Sequence, residues 1–145
     1  MKNFIEIYEN VIPKEICKYL INFFNEQHQL NETYPGGFGR GRVDKTKKDC
    51  TDINALNKKY MEDEQHSSIL EAYTSLVFNK FFDYLKTYTK NYYQPVIDEK
   101  RPIFKKPSTA LMHMYEPPTQ GYHKWHQDWA SYSPFSSRML VGMTY

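Results

Sequence analysis

Apolar positions in this chain change their period along its length, and the changes separate helix-like from strand-like stretches. Pro13 suits the first position of a helix, where its missing N–H costs nothing. Beyond it Ile16, Leu20, Phe23 and Phe24 share one face, with Cys17 and Tyr19 at the margins, which predicts an amphipathic helix over 13–28. A second helix is predicted over 67–88, where Ile69, Tyr73, Leu76, Val77, Phe81, Tyr84 and Leu85 recur at the same spacing. Ahead of both, Phe4-Ile5-Glu6-Ile7-Tyr8 reads as an opening strand. Pro95, Pro102 and Pro107 punctuate an extended segment, after which Thr109 to Tyr115 and Met139 to Tyr145 read as strands. Helices first and strands later predict an α+β fold with helices supporting a sheet.

Between the two helices, residues 31–52 are polar and glycine-rich. The run Tyr34-Pro35-Gly36-Gly37-Phe38-Gly39-Arg40-Gly41-Arg42 lacks the Lys-Ser/Thr ending of a phosphate-binding loop. It is expected to be a surface loop, with glycine hinges that would suit a lid over a substrate. The basic cluster Lys45-Thr46-Lys47-Lys48 is expected to be solvated.

A net charge of +2 is too small to single out nucleic acid or an anionic membrane surface, and neither is expected as a partner. No apolar run approaches the length of a membrane span, and the first residues carry no signal-peptide core. Two cysteines, Cys17 and Cys50, are too few for a disulfide framework. The expectation is a soluble, cytoplasmic chain forming one domain over 1–145, long enough to bury a core. Nothing in the sequence fixes an oligomeric state.

The candidate chemistry lies near the C-terminus, in Tyr122-His123-Lys124-Trp125-His126-Gln127-Asp128-Trp129. In an extended strand His126 and Asp128, two residues apart, project to the same face. An imidazole nitrogen and a carboxylate oxygen then converge on one point, as two-thirds of the 2-His-1-carboxylate triad that holds non-haem Fe(II). His123 would face away on such a strand. Only a helical turn would bring it together with His126 and Asp128 in a zinc site.

Around this pair stand Tyr115, then Gly121-Tyr122, then Arg138 followed by Met139-Leu140-Val141-Gly142-Met143-Thr144-Tyr145. The combination resembles the Fe(II)- and 2-oxoglutarate-dependent oxygenases, in particular their prolyl 4-hydroxylase-like branch. The match covers about Ala110 to Tyr145, and Phe4 to His28 also looks like the usual start of such domains. The resemblance implies a double-stranded β-helix, a jelly-roll or cupin-like barrel with supporting N-terminal helices. It implies that His126 and Asp128 bind iron, that Tyr145 hydrogen-bonds the distal carboxylate of 2-oxoglutarate, and that Tyr115 lies beside this cosubstrate. Arg138 would sit on the substrate side. The cofactors implied are Fe(II) and 2-oxoglutarate, with ascorbate admitted, and the reaction is O2-dependent hydroxylation of a peptidyl proline or another C–H substrate.

The family places a second histidine, and a basic partner for the cosubstrate, on later strands. Here all five histidines, His28, His66, His113, His123 and His126, lie at or before the motif. The expectation is therefore an oxygenase-like domain incomplete at its C-terminus and lacking the last strands. A non-catalytic binding remnant of the same fold is the alternative. His113 shares a strand face with Tyr115 and is expected to make a local hydrogen bond rather than act as a surrogate ligand.

Overall fold

The first helix, α1 (Lys14–Gln29), starts directly after Pro13 and buries Phe23 and Phe24 from the predicted apolar face. Its end is set by Asn31, which adopts the left-handed conformation at φ 58°. The Glu32 N–H then donates to the Gln27 carbonyl at 2.9 Å and the Asn31 N–H to the His28 carbonyl at 3.1 Å. These two bonds form a Schellman cap and satisfy carbonyls that the helix leaves open.

This architecture comes from a computed structural model that describes residues 6–37, 42–92, 110–124 and 143–145. The chain divides into two compact units, 1–22 with 55–110 and 23–54 with 111–145.

The first unit is helical. It holds the first turns of α1, the short α2 (Lys58–Met61) and the long α3 (Glu64–Tyr92). Asn57 caps α2 by accepting from the Lys59 N–H. Asp63 caps α3, its Oδ1 accepting from the His66 N–H at 2.7 Å. Among the described residues of α3, Leu70 is the most buried at 1% exposure, although it lies outside the set predicted from spacing. The described members of that set, Ile69 to Tyr84, are half-buried. His66 is buried beside them, its Nε2–H donating to the Ala55 carbonyl at 2.9 Å. In the neutral ring this leaves Nδ1 to accept from the Tyr19 hydroxyl at 3.2 Å.

The second unit carries the strands. A three-stranded antiparallel sheet has the order β1 (Tyr34–Pro35), β3 (Thr51–Asn54), β4 (Leu111–Met114). A separate antiparallel pair joins β2 (Lys48–Asp49) to β5 (Gly121–Tyr122). Residues 48–54 therefore run as one extended path that changes partners at Cys50. Before it the path pairs with β5, and after it with β1 and β4. On β3 the Ile53 side chain is 1% exposed, opposite Met112 in the register.

The outcome is a mixed α+β architecture with small antiparallel sheets. Several expectations need correction. Glu6 to Tyr8 form no strand, and Phe4 and Ile5 lie outside the described residues. Met143 to Tyr145 are likewise not in a strand, and 139–142 lie outside the described residues. Most importantly, the stretch expected to be a loop contains β1, β2 and the start of β3. Strands of two residues are too short to show an alternation of apolar side chains, so sequence periodicity passes over them. Among the described residues, no helix is long and apolar enough to cross a membrane.

Candidate functional site

Asp52 is the centre of the most polar buried cluster described in the second unit. Lys48, Cys50 and Asp52 occupy alternate positions on the extended path, so their side chains project to one face. The antiparallel register then sets His113 directly opposite Asp52. Three donors converge on this single carboxylate. Lys48 Nζ donates to Oδ2 at 3.0 Å, Cys50 Sγ to Oδ1 at 2.9 Å, and His113 Nδ1 to Oδ1 at 2.6 Å. Lys48 Nζ also reaches the Gly37 carbonyl at 3.4 Å.

Both partners of the Lys48–Asp52 ion pair are buried, with side chains 7% and 4% exposed. That Lys48 is buried corrects the expectation of a solvated basic cluster. Lys45 remains exposed and Lys47 half-buried. A buried ammonium is tolerated because a carboxylate faces it and both make further hydrogen bonds.

The charges shift one another. Burial alone would raise the Asp52 carboxyl, but the bonds from His113, Cys50 and Lys48 outweigh it and hold the group below its ordinary value. Burial would lower the Lys48 ammonium, and the bond and charge of Asp52 reverse this and raise it. Burial, then the bond to Asp52, push the Cys50 thiol up to about 11. Because Asp52 is held ionised it can only accept, so His113 Nδ1 carries the hydrogen between them.

Gly36 closes one side of the cluster. Its N–H donates to the Cys50 carbonyl at 2.8 Å, and a Cβ there would overlap Cys50 Sγ and press on both Asp52 oxygens, at 3.1 and 3.2 Å. Tyr115 borders the cluster from the end of β4, with its ring 6.3 Å from that of His113. Burial, then the charge of Cys50, raise its phenol above the ordinary value. Cys50 also lines an open depression of about 270 Å³ with Thr33, Tyr34, Asp49 and Gln120.

Chemically, the cluster offers a neutral thiol, a buried carboxylate and an imidazole, with donor atoms all within 4.8 Å of one another. A thiol held at about 11 is a poor nucleophile near neutral pH. The set instead has the composition of a site for a borderline-soft divalent metal.

Of the residues predicted to act, Tyr115 adjoins this cluster. Tyr145 is fully exposed, its hydroxyl donating to Met143 Sδ at 3.0 Å. His126, Asp128 and Arg138 lie outside the described residues. His123 is exposed, and its backbone N–H donates to the Lys47 carbonyl at 2.7 Å. His113 does make a hydrogen bond, but to Asp52, 61 residues away, rather than locally.

Sequence reasoning missed Lys48, Cys50 and Asp52 as a group. The signal was present as an alternation at every second residue, carried by polar rather than apolar side chains. No known protein family, characterised protein or solved structure matches this chain.

Proposed function

We propose that this chain acts as, or within, an Fe(II)- and 2-oxoglutarate-dependent dioxygenase of the prolyl 4-hydroxylase-like branch. The observation that carries the reading is the run from Tyr115 through Gly121-Tyr122 to His126-Gln127-Asp128 and Arg138. Support comes from its described part, in which Tyr115 follows β4 directly and Gly121–Tyr122 form β5. The motif is thus preceded by two strands, each paired antiparallel within its own small sheet, β4 with β3 and β5 with β2.

The donor chemistry of His126 and Asp128 fits the metal, since a neutral imidazole and a carboxylate suit Fe(II) and leave positions open. When bound, the iron supplies oxidative decarboxylation of 2-oxoglutarate coupled to hydroxylation of a C–H bond. The chain's own residues hold and orient. His126 and Asp128 hold the ion, Tyr115 and Tyr145 serve the cosubstrate, and Arg138 serves the substrate side. A peptidyl proline is the substrate class that the resemblance suggests.

The test is anaerobic addition of Fe(II) and 2-oxoglutarate, followed by visible absorption from the iron–cosubstrate chelate. The signal is expected in a complete protein that contains this chain and lost there in both His126→Ala and Asp128→Ala. An undiminished signal in both variants would sink the proposal. Ligand binding that is indifferent to chelators would point to the binding remnant instead.

A further inference from the structure

We propose that Cys50, Asp52 and His113 form a second metal site, taking a zinc-class divalent cation, separate in its ligands from His126 and Asp128. The geometric warrant is that two hydrogens, one on Cys50 Sγ and one on His113 Nδ1, both point at a single oxygen, Asp52 Oδ1. The three heteroatoms therefore enclose a small space occupied by protons. A cation placed there meets a thiolate sulfur, an imidazole nitrogen and a carboxylate oxygen. That is a three-ligand set with a fourth position left for water.

The dimensions suit this exchange. Metal–ligand bonds of about 2.0–2.3 Å in a tetrahedral site put ligand atoms roughly 3.2–3.8 Å apart. The two hydrogen-bonded edges, at 2.6 and 2.9 Å, are shorter than this, while no edge exceeds 4.8 Å. A modest opening of the two short edges completes the site. His113 can make that adjustment, because its side chain is 34% exposed on strand β4. Its exposed edge, and the depression that Cys50 lines, give an ion a way in.

The surroundings support the carboxylate in a ligating pose. Lys48 binds Oδ2, which leaves Oδ1, the oxygen that Cys50 and His113 share, for the metal position. Gly36 supplies a wall of backbone against the sulfur where any side chain would intrude. Binding breaks the S–H bond and forms a metal–sulfur bond. The thiol proton leaves to solvent, while the Nδ1 hydrogen is exchanged through solvent for one on Nε2, so that the neutral ring binds through Nδ1, and no electron is transferred. Metal coordination deprotonates a thiol that is otherwise hard to ionise.

Cobalt(II), a spectroscopic substitute for zinc, reads the site directly through the absorption of a cobalt–thiolate bond. The full chain titrated with cobalt(II) under reducing conditions is expected to develop that band. It should persist in Cys17→Ser and in the His126→Ala/Asp128→Ala double variant, and vanish in Cys50→Ser. His113→Ala, on an exposed strand position that leaves the core intact, should weaken cobalt binding by more than the about 10–100-fold cost of losing an outer-shell partner. Absence of a thiolate band in the parent chain overturns the proposal, whether or not any variant folds. So does a band that depends on Cys17, or one whose affinity is unmoved in His113→Ala. Because the double variant removes only the iron ligands, failure of the oxygenase reading and failure of this one give different results.

Discussion

His113 and Asp52 stand opposite each other in the β3–β4 register and share the shortest hydrogen bond of the cluster, 2.6 Å from Nδ1 to Oδ1. A cross-strand pair this close fixes the imidazole tautomer and at the same time ties β4 to the buried carboxylate. The other bonds to Asp52 come from its own strand path, so the carboxylate joins two segments distant in sequence.

Removing that carboxylate strands a buried ammonium. Asp52→Ala is expected to lower stability by about 3–5 kcal/mol, since Lys48 is left charged and unpaired. Replacing both partners, as Lys48→Met with Asp52→Leu, should recover much of the loss, because the desolvation cost disappears with the charges. Urea denaturation of the two single variants and the double variant measures this. Strictly additive losses would contradict it.

Gly36→Ala tests the close approach of backbone to sulfur. The added methyl overlaps Cys50 Sγ, and overpacking of this kind costs about 1–3 kcal/mol. Trimming the sulfur with Cys50→Ala should make the same substitution at Gly36 nearly neutral. The remaining neighbours, the Asp52 oxygens at 3.1 and 3.2 Å, need to give only slightly. Unfolding midpoints of the four proteins in the cycle decide the point.

Stability of the metal-free chain should fall at both ends of the pH range. Asp52 is lowered in the fold, so its contribution is present above the ordinary carboxylate range and is lost as pH drops through the lowered value. Lys48 is raised, so its contribution is complete below the ordinary lysine value and is lost as pH rises through the raised one. Cys50 adds an alkaline loss of its own. The unfolded thiol ionises from about 8.5, whereas the folded one resists until about 11. Denaturation midpoints across this window should decline less steeply in Cys50→Ala than in the parent chain, with the acid limb retained in both.

In the helical unit, His66→Leu removes the donor to the Ala55 carbonyl and the acceptor for Tyr19. Losing these two bonds is expected to cost about 1–3 kcal/mol, read as a lower unfolding midpoint. His66→Gln, which keeps a donor and an acceptor, should cost less.

The helices were legible because their apolar residues repeat over several turns. Ile16, Leu20, Phe23 and Phe24 mark one face of α1, and Ile69 to Tyr84 mark one side of α3 to within a few residues of its observed start. The β4 strand was legible too, and the structure shows it over Leu111–Met114. The cluster at Asp52 was not. Its near members, Lys48 and Cys50, look like part of a polar loop, because polar residues rarely face inward and sequence patterns are read from apolar ones. Its far member, His113, joins through a strand pairing that no local pattern encodes. The burial of Lys48 follows from the pairing, so it becomes visible only when the register is known.

The path through residues 48–54 serves two sheets, and this sets where the chain can change length. A single residue inserted or deleted between Lys48 and Asp52 would turn every later side chain on the path to the opposite face. Asp52 would then point away from Lys48, and Ile53 would trade its buried place for a polar one. Length changes ahead of Asp44 leave this alternation in place, since they precede both the shared path and the turn whose Asp44 carbonyl accepts from the Lys47 and Lys48 N–H groups. Related chains that vary in size should therefore carry their insertions before Asp44 and keep the seven residues from Lys48 to Asn54 at constant spacing.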